Sequence, residues 1–344
     1  MTRTTTAAAL TAVGALLLSG CVAGEGSAIA DDGGEGTWSA DTLTVDFATY
    51  NPLSLIIREQ GWLEATLGPD VTVEWVQSAG SNKANELLRS GAADVASTAG
   101  SAALLARANE SPIHTIALFD QPEWSAIVVP EDSDIDSVED LAGRSVAATR
   151  GTDPYFFFVQ SLEEHGVDIA DVEVQNLQHA DGRVALENGA VDAWAGLDPI
   201  MADTEINAGS RLLYRNVDFN TYGFLNATED FLETSPDLAQ VVVDAYEKAR
   251  EWAAENPEET VAILAEVAGI EPAVAERVVL ERTNLDVEAV PGDAQRAVLE
   301  VVGPIFVETG DVRTQEEIDK ALDTLIDDTW ARQADATTIT EAGS

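Results

Sequence analysis

The fold is decided by two similar stretches, SGAADVA at residues 90–96 and NGAVDAW at residues 188–194. Each contains a glycine that can end a helix in a left-handed cap, followed by a short apolar strand. Each strand then opens into a polar loop ahead of another helix, at residues 97–101 and 197–199. The repeat predicts two similar α/β halves, with a recurring αβ turn without kinship as the alternative. Two open sheets that face each other place the carboxyl ends of their strands at a shared cleft, where ligands bind.

Strands and helices alternate outward from these two stretches. Periodicity predicts strands at residues 43–49, 71–77, 94–97, 113–119, 125–130, 145–149, 172–177, 192–197, 211–214 and 222–226. It predicts helices at residues 52–67, 82–89, 101–109, 138–141, 154–165, 183–187 and 199–208, and only helices over residues 236–331. Such alternation favours parallel sheets covered on both faces.

Composition bounds the class of protein. The chain has 344 residues and a hydrophobic fraction of 45%, which is ample for a packed core. Its 62 acidic and 18 basic side chains give a formal net charge of −44. Such a balance excludes a nucleic-acid partner, because phosphate binding needs a basic face. It also excludes electrostatic docking on anionic lipid.

The N-terminus predicts a compartment. Residues 7–18 form an apolar stretch that is too short to span a bilayer but suits a signal peptide. It ends in LSGC at residues 18–21, which resembles a bacterial lipobox, and Cys21 is the only cysteine of the chain. We therefore predict a signal peptide over residues 1–20, lipidation of Cys21, and a flexible tether over residues 21–40 that leaves the protein anchored outside the cell membrane.

Several motifs together resemble a known family, the substrate-binding proteins of ABC importers for aliphatic sulfonates, taurine and nitrate. The motifs are SGAADVA at 90–96, AIVVP at 126–130, DLAGRSVA at 140–147, RGT at 150–152, and the stretch from ADGR at 180–183 through GAVDAW at 189–194 to Asp198-Pro199. The resemblance implies an α/β, two-lobed periplasmic-binding-protein-like fold of type II with a helical C-terminal region. Its first lobe would comprise residues 41–123 and 222–335, and its second lobe residues 124–221. Hinges would lie near residues 120–126 and 217–223.

The resemblance also implies a function. The chain would be a monomeric receptor that binds a small organic anion or zwitterion, above all an aliphatic sulfonate, and delivers it to a membrane permease. Taurine, nitrate, bicarbonate and a thiamine-pyrimidine precursor remain alternative ligands. An extracellular enzyme on the same fold is the alternative of a different class, although no G-x-S-x-G motif occurs. No cofactor or metal is predicted, because His114, His165 and His179 lack metal-ligand spacing.

A sulfonate needs hydrogen-bond donors in a dry pocket, and helix N-termini supply them as backbone N–H groups. Four predicted helices begin directly after strands, in glycine- or hydroxyl-containing loops or at an Asp-Pro step. The candidate ligand-binding residues in these loops are Ser78, Gly80, Ser81, Asn82, Thr98, Ser101, Thr152, Asp153 and Asp198. Ordinary N-capping is the alternative role for such side chains.

Aromatic and acidic side chains complete the candidate site. Tyr50 and Asn51 follow the first strand, and Trp124, Tyr155 and Trp194 are candidates to contact the organic part of the ligand. Core packing is the alternative role for these rings. The carboxylates of Asp153, Asp181 and Asp198 depart from a simple anion site, because they could instead hold an amine. They therefore keep a zwitterion such as taurine open.

Overall fold

Two five-stranded sheets hold the strands of residues 38–343, which are the residues that this computed structural model describes. The first sheet has the order β2-β1-β3-β10-β4, with β1 (Thr42–Phe47), β2 (Thr72–Gln77), β3 (Val95–Ala99), β4 (Ile113–Asp120) and β10 (Gly223–Thr228). The second has the order β7-β6-β8-β5-β9, with β5 (Ser125–Pro130), β6 (Ser145–Ala148), β7 (Glu173–Asn176), β8 (Ala193–Leu197) and β9 (Ser210–Tyr214). The predicted signal peptide, Cys21 and most of the predicted tether lie outside the described residues.

The two sheets share one topology, as the repeat of the two glycine-containing stretches predicts. Each sheet contains one strand of opposite direction, β10 in the first and β5 in the second. Among the other four strands of each sheet, the first in the chain lies between the second and third, and the strand of opposite direction separates the third from the fourth. Gly91 and Gly189 occupy equivalent turns with φ of 68° and 69°, a left-handed conformation that favours glycine. The predicted α/β fold of two similar sheets is therefore confirmed.

The prediction of purely parallel sheets is wrong in one respect. β10 runs antiparallel to both β3 and β4, and β5 runs antiparallel to both β8 and β9. These two strands are the ones that follow the crossings from one sheet to the other, so each enters its sheet from the opposite end. Sequence periodicity reports whether a strand is buried, but it does not report the strand's direction.

Helices cover the sheets, and most lie close to the predicted ranges. They are α1 (Pro52–Gln60), α2 (Trp62–Leu67), α3 (Ser81–Ser90), α4 (Gly100–Ala108), α5 (Asp153–Glu164), α6 (His179–Glu187), α7 (Ile200–Asn207), α8 (Glu229–Thr234), α9 (Pro236–Glu255), α10 (Pro257–Ala268), α11 (Pro272–Glu276), α12 (Asp293–Glu308) and α13 (Gln315–Thr324). Two differences matter. The helix predicted over residues 52–67 is broken at Gly61, which has φ of 63°. α6 begins at His179 rather than at residue 183, which places His179 at a helix N-terminus.

The C-terminal helices pack on both halves of the molecule. α12 and α13 both contact α4 beside the first sheet. α12 also reaches α5 beside the second sheet, where the rings of Phe156 and Phe306 have centroids 4.4 Å apart. Phe156, Phe157 and Phe158 are fully buried, so the apolar run of α5 is core, as its composition favours.

Within residues 38–343, no helix combines the length and apolar character needed to cross a bilayer. Nor does that part of the chain contain a cluster of three or more His, Cys, Asp or Glu side chains placed to hold a metal ion.

Candidate functional site

A narrow cavity of about 10 Å³ lies between the two sheets, beyond the carboxyl ends of their strands. Residues from both halves line it: Tyr50, Ser81, Ala99, Trp124, Thr152, Asp153, Pro154, His179 and Leu197. This volume is room for about one water molecule and is far below the 300–1,000 Å³ of typical ligand pockets, so a solute fits here only when the two halves move apart. Its wall contains no Lys or Arg side chain. An anion held here therefore depends on uncharged donors or on the single histidine.

Helix N-termini from both halves converge on this cavity. α3 and α4 contribute Ser81 and Ala99 from the first sheet, and α5 and α6 contribute Thr152 and His179 from the second. None of the four N-cap residues bonds to the first turn through its side chain, but Thr221 Oγ1 accepts from the N–H of Ser101 in α4, and Asn82 Oδ1 accepts from that of Lys83 in α3. By contrast, Asn51, Thr228 and Thr314 cap the helices that follow them elsewhere in the described chain. The N–H groups of Gly100 and Ser101 in α4 are taken by Tyr222 and Thr221. The starts of α3, α5 and α6 remain as the helix ends whose backbone N–H groups and partial positive charge favour an anion.

Ser81 adds a side-chain donor to this arrangement. Its Oγ accepts a hydrogen bond of 2.9 Å from the backbone N–H of Ala99, so its own hydroxyl hydrogen is available to a ligand. Thr152 differs, because its Oγ1 donates at 2.6 Å to the carbonyl of Thr149 and can only accept from a ligand. Of the serine and threonine hydroxyls in the cavity wall, that of Ser81 is therefore the donor.

Asp153 occupies several of the donors that the sequence suggested for the ligand. Its carboxylate accepts from Ser101 Oγ at 2.6 Å, from Trp124 Nε1 at 2.8 Å, and from both the N–H and the Oγ1 of Thr221 at 2.8 Å. Burial raises the pKa of Asp153, while these hydrogen bonds oppose that rise. The carboxylate thus takes the position of an anionic group, and its bond to Ser101 joins α5 of one half to α4 of the other.

Two aromatic rings form the apolar part of the wall. Tyr50 and Trp124 meet edge to face, with centroids 6.0 Å apart and an interplanar angle of 84°. The Tyr50 hydroxyl donates to the carbonyl of Ser97 at 2.9 Å, so the ring is fixed in place. Both rings also line a second cavity of about 10 Å³, whose wall includes Asp198 and Arg282. The pair therefore divides the cleft into two compartments.

Asp198 lies in the second cavity and is held by a buried cation. Both of its carboxylate oxygens lie 3.2 Å from Nη1 of Arg282, and Oδ1 also accepts from the N–H of Ala202. Arg282 forms a further short ion pair with Glu205. Desolvation raises the pKa of Asp198 to about 6, although Arg282 opposes the rise. This cation belongs to a carboxylate pair, and it is not free for an anionic ligand.

Other predicted residues lie in the packed interior beside the cavity. Asn51 caps α1 and donates to the hydroxyl of Tyr246, and Thr98 accepts from Asn226 in the sheet. Tyr155 is fully buried in the core against Phe156. Packing and sheet hydrogen bonds account for these contacts. None of these three side chains lines the cavity.

The remaining predicted residues have different surroundings. Trp194 is fully buried beneath Gly182, where a Cβ on that glycine would lie 2.7 Å from the indole Nε1. Asp181 is exposed on α6. Ser78 is buried and does not line the cavity, and Asn82 accepts from the N–H of Lys83. Asp181 and Trp194 of the family motif are therefore exposed and packed in the core, respectively, and neither lines the cavity.

His179 also lines the cavity, although it falls between the predicted strand at residues 172–177 and the predicted helix at residues 183–187. Its ring is 1% exposed, and its Nε2 faces Gly80 of the other half, where a Cβ would lie 3.1 Å away. Nδ1 lies 3.2 Å from Thr149 Oγ1, whereas Nε2 has no partner among the described residues. Burial lowers the pKa of His179 to about 4. The one available signal was its place two residues after a strand, directly ahead of the ADGR motif.

Comparisons with known proteins agree with this architecture. The protein family described as NMT1/THI5 like matches residues 56–260. A protein named "Putative aliphatic sulfonates-binding protein" from Escherichia coli K12 is 28% identical over 204 residues, which are 59% of this chain and 64% of that protein. The chain thus aligns with less than two thirds of that relative. A Bacillus subtilis 168 protein of the same name is 26% identical over 292 residues, or 83% of this chain and 85% of that protein.

A solved structure extends the likeness to the fold. The alkanesulfonate-binding protein SsuA from Xanthomonas axonopodis pv. citri, bound to MOPS, superposes with a TM-score of 0.75 at 21% identity. The match covers 84% of this chain and 99% of that protein. It shows that the two chains share one fold.

Proposed function

The chain belongs to the NMT1/THI5-like family, and from this membership and the geometry of the cleft we propose that it is the solute receptor of an ABC importer for a small aliphatic sulfonate. The convergence of helix N-termini from both halves on one small cavity carries the proposal. Two curated relatives bear sulfonate-binding names, which supports this ligand over nitrate, bicarbonate and a thiamine-pyrimidine precursor.

In this proposal the sulfonate oxygens accept from backbone N–H groups at the starts of α3, α5 and α6 and from Ser81 Oγ. The alkyl group lies against Tyr50 and Trp124. Because the donors come from opposite halves of the molecule, a ligand that bridges them stabilises the closed arrangement over an open one. The closed receptor would then dock on a membrane permease and release the solute for import.

A thermal-shift and calorimetric screen tests the ligand. Methanesulfonate, ethanesulfonate and taurine should raise the melting temperature and release measurable heat, because ligands that bind only the folded state stabilise it. Nitrate, bicarbonate, thiamine precursors and polyamines serve as comparison ligands. A shift with polyamines alone would show that the cleft carboxylates hold a cation, and it would overturn the sulfonate assignment.

We also propose that the protein is tethered outside the cytoplasmic membrane through a lipid on Cys21. The LSGC stretch and the preceding apolar segment support this. A cell that expresses the full chain should incorporate a labelled fatty acid into it, and the protein should partition into detergent. Cys21→Ser should abolish both, whereas labelling that persists in this variant would place the lipid elsewhere.

A further inference from the structure

His179 is the one residue in the wall of the first cavity that can become a cation by taking up a proton. Its hydrogen-bond contacts fix which ring nitrogen carries the hydrogen in the neutral form. Thr149 Oγ1 donates its single hydrogen to the carbonyl of Leu177 at 2.7 Å. The hydroxyl can therefore only accept from His179 Nδ1, which lies 3.2 Å away. The neutral ring thus carries its hydrogen on Nδ1 and presents the bare lone pair of Nε2.

That lone pair has no partner among the described residues and is fully buried. An anionic oxygen placed in the cavity beside an unprotonated Nε2 would be repelled, because both atoms present lone pairs and neither can donate a hydrogen bond. Protonation of Nε2 reverses this, because the imidazolium then donates a charge-assisted hydrogen bond and supplies the positive charge that the wall otherwise lacks. No neighbouring base competes for this proton through a direct contact, since the ring's one hydrogen-bond partner is Thr149.

We propose that His179 is a ligand-binding residue and that capture of a sulfonate takes up one proton at its Nε2, so that affinity rises as the pH falls. This inference rests on the sulfonate function proposed above. The bond that forms is Nε2–H, the proton comes from solvent, and the sulfonate keeps its charge because it is the anion of a strong acid.

The neighbouring charges are accounted for on each packed element. Asp153 of α5 is in the wall, with both oxygens engaged by Ser101, Trp124 and Thr221, and Tyr50 is held by Ser97. The other charged groups nearby are paired or exposed: Lys83 with Glu86 on α3, Arg183 with Asp203 between α6 and α7, Arg150 with Asp311, and Asp181 on the outer side of α6.

Linkage gives the size of the effect. Burial lowers the pKa of the ligand-free ring to about 4, so the ring is neutral near pH 7. A bound anion favours the protonated form and raises that pKa. At a pH between the pKa of the ligand-free ring and that of the ring in the complex, binding of one ligand takes up one proton. Over that range the dissociation constant for ethanesulfonate should increase about tenfold per pH unit as the pH rises.

Calorimetry on the full receptor tests this between pH 5 and 8, with ethanesulfonate in buffers of different ionisation enthalpy. The wild type should take up close to one proton per ligand and show the tenfold slope. His179→Gln, which offers a neutral amide donor at every pH, should bind with a slope near zero. His165→Gln changes a histidine that lies outside the cavity at the end of α5, and it should keep the wild-type slope.

Three outcomes would overturn the inference, and they are distinguishable. If the wild type binds ethanesulfonate without proton uptake, His179 does not titrate on binding and the sulfonate function stands. If His179→Gln keeps the slope and Asp153→Asn removes it, the proton goes to Asp153 and the function again stands. If no sulfonate binds at any pH, both the proposed function and this inference fail.

Discussion

At the residue scale, glycine at position 80 is required by a contact across the cleft. Gly80 precedes α3 in the first half, has φ of 149°, and faces the ring of His179 in the second. A side chain there would be strained by the backbone and crowded by the ring. The position therefore sets how closely the two halves approach.

Gly80→Ala should weaken sulfonate binding by about tenfold, because the added Cβ opposes the closed arrangement. Calorimetry well below the melting temperature measures this. Gly91→Ala is the matched control, since Gly91 also has positive φ but has nothing within 4 Å of its Cβ position. It should lower stability and leave affinity unchanged. Equal affinities for wild type and Gly80→Ala would show that closure tolerates the methyl group.

Another residue-scale effect concerns Asp46, which is fully buried in β1. It accepts hydrogen bonds from Ser97, and burial raises its pKa to about 7 from the usual 3.8. The folded state thus holds a proton that the unfolded chain releases, and the free energy of unfolding falls by up to ~1.4 kcal/mol per pH unit from this group as the pH rises toward 7. His179 acts in the opposite direction between about 4 and 6.5, because burial lowers its pKa.

The difference between wild type and Asp46→Asn isolates the Asp46 contribution. In urea unfolding between pH 5 and 7, the stability of the variant should rise relative to wild type by about 1.4 kcal/mol per pH unit. Asp192→Asn is the control. The pKa of Asp192 is lowered by its hydrogen bonds to Ser145, so this carboxylate is ionised in both states over that range. A flat difference for Asp46→Asn would mean that Asp46 is ionised in the folded protein.

At the scale of elements, the decisive feature is a helix that begins at the cleft without a side-chain cap. α3, α5 and α6 share it, and it leaves first-turn N–H groups to a ligand, whereas in α4 the N–H groups of Gly100 and Ser101 are taken by Tyr222 and Thr221. Side-chain caps occur on α1, α8 and α13 instead. The Ser81 side chain does not cap its own helix. Its Oγ accepts from the N–H of Ala99 and so joins α3 to the start of α4.

Ser81→Ala should weaken sulfonate binding by about tenfold or more, since it removes a donor to a charged acceptor and leaves the buried N–H of Ala99 without its partner. Titration calorimetry gives the change. Ser90→Ala, at the exposed end of the same helix, removes a hydroxyl that bonds only to Leu87 and should bind as the wild type does. Unchanged affinity in Ser81→Ala would exclude its hydroxyl from the site.

At the scale of the whole molecule, the connections between the halves are tightly packed. Gly223, where the chain returns to the first sheet, pairs with Asp120, and a Cβ on it would lie 2.1 Å from the carboxylate. Arg282 of the C-terminal region joins Asp198 and Glu205 of the other half. The net charge of −44 surrounds this assembly and opposes the approach of an anion at long range.

The association rate constant for ethanesulfonate should therefore rise severalfold with salt, as the Debye length falls from about 30 Å at 0.01 M to about 8 Å at 0.15 M. Stopped-flow tryptophan fluorescence can follow this, because Trp124 lines the cleft. Taurine has no net charge and should show a smaller increase. A rate constant that falls with salt would indicate a positive potential at the mouth of the cleft.

Much of the fold was readable in local pattern. The glycine-containing repeats indicated two like halves, and helix starts after strands indicated where donors would gather, because periodicity, caps and turns depend on residues close together in the chain. Strand direction was not readable, since β10 and β5 take theirs from the path between sheets.

The partners across the cleft were decided only by the tertiary structure. Ser101 and Trp124 are held by Asp153, Trp194 of the family motif is buried under Gly182, and His179 faces Gly80. Each of these pairs either spans the two halves or depends on how a helix packs on a strand. The sequence by itself determined the kind of cleft and the donors available to it. The packing of one half on the other decided which donors Asp153 occupies and left the imidazole of His179 facing the cavity, because those contacts join residues with no local signal in common.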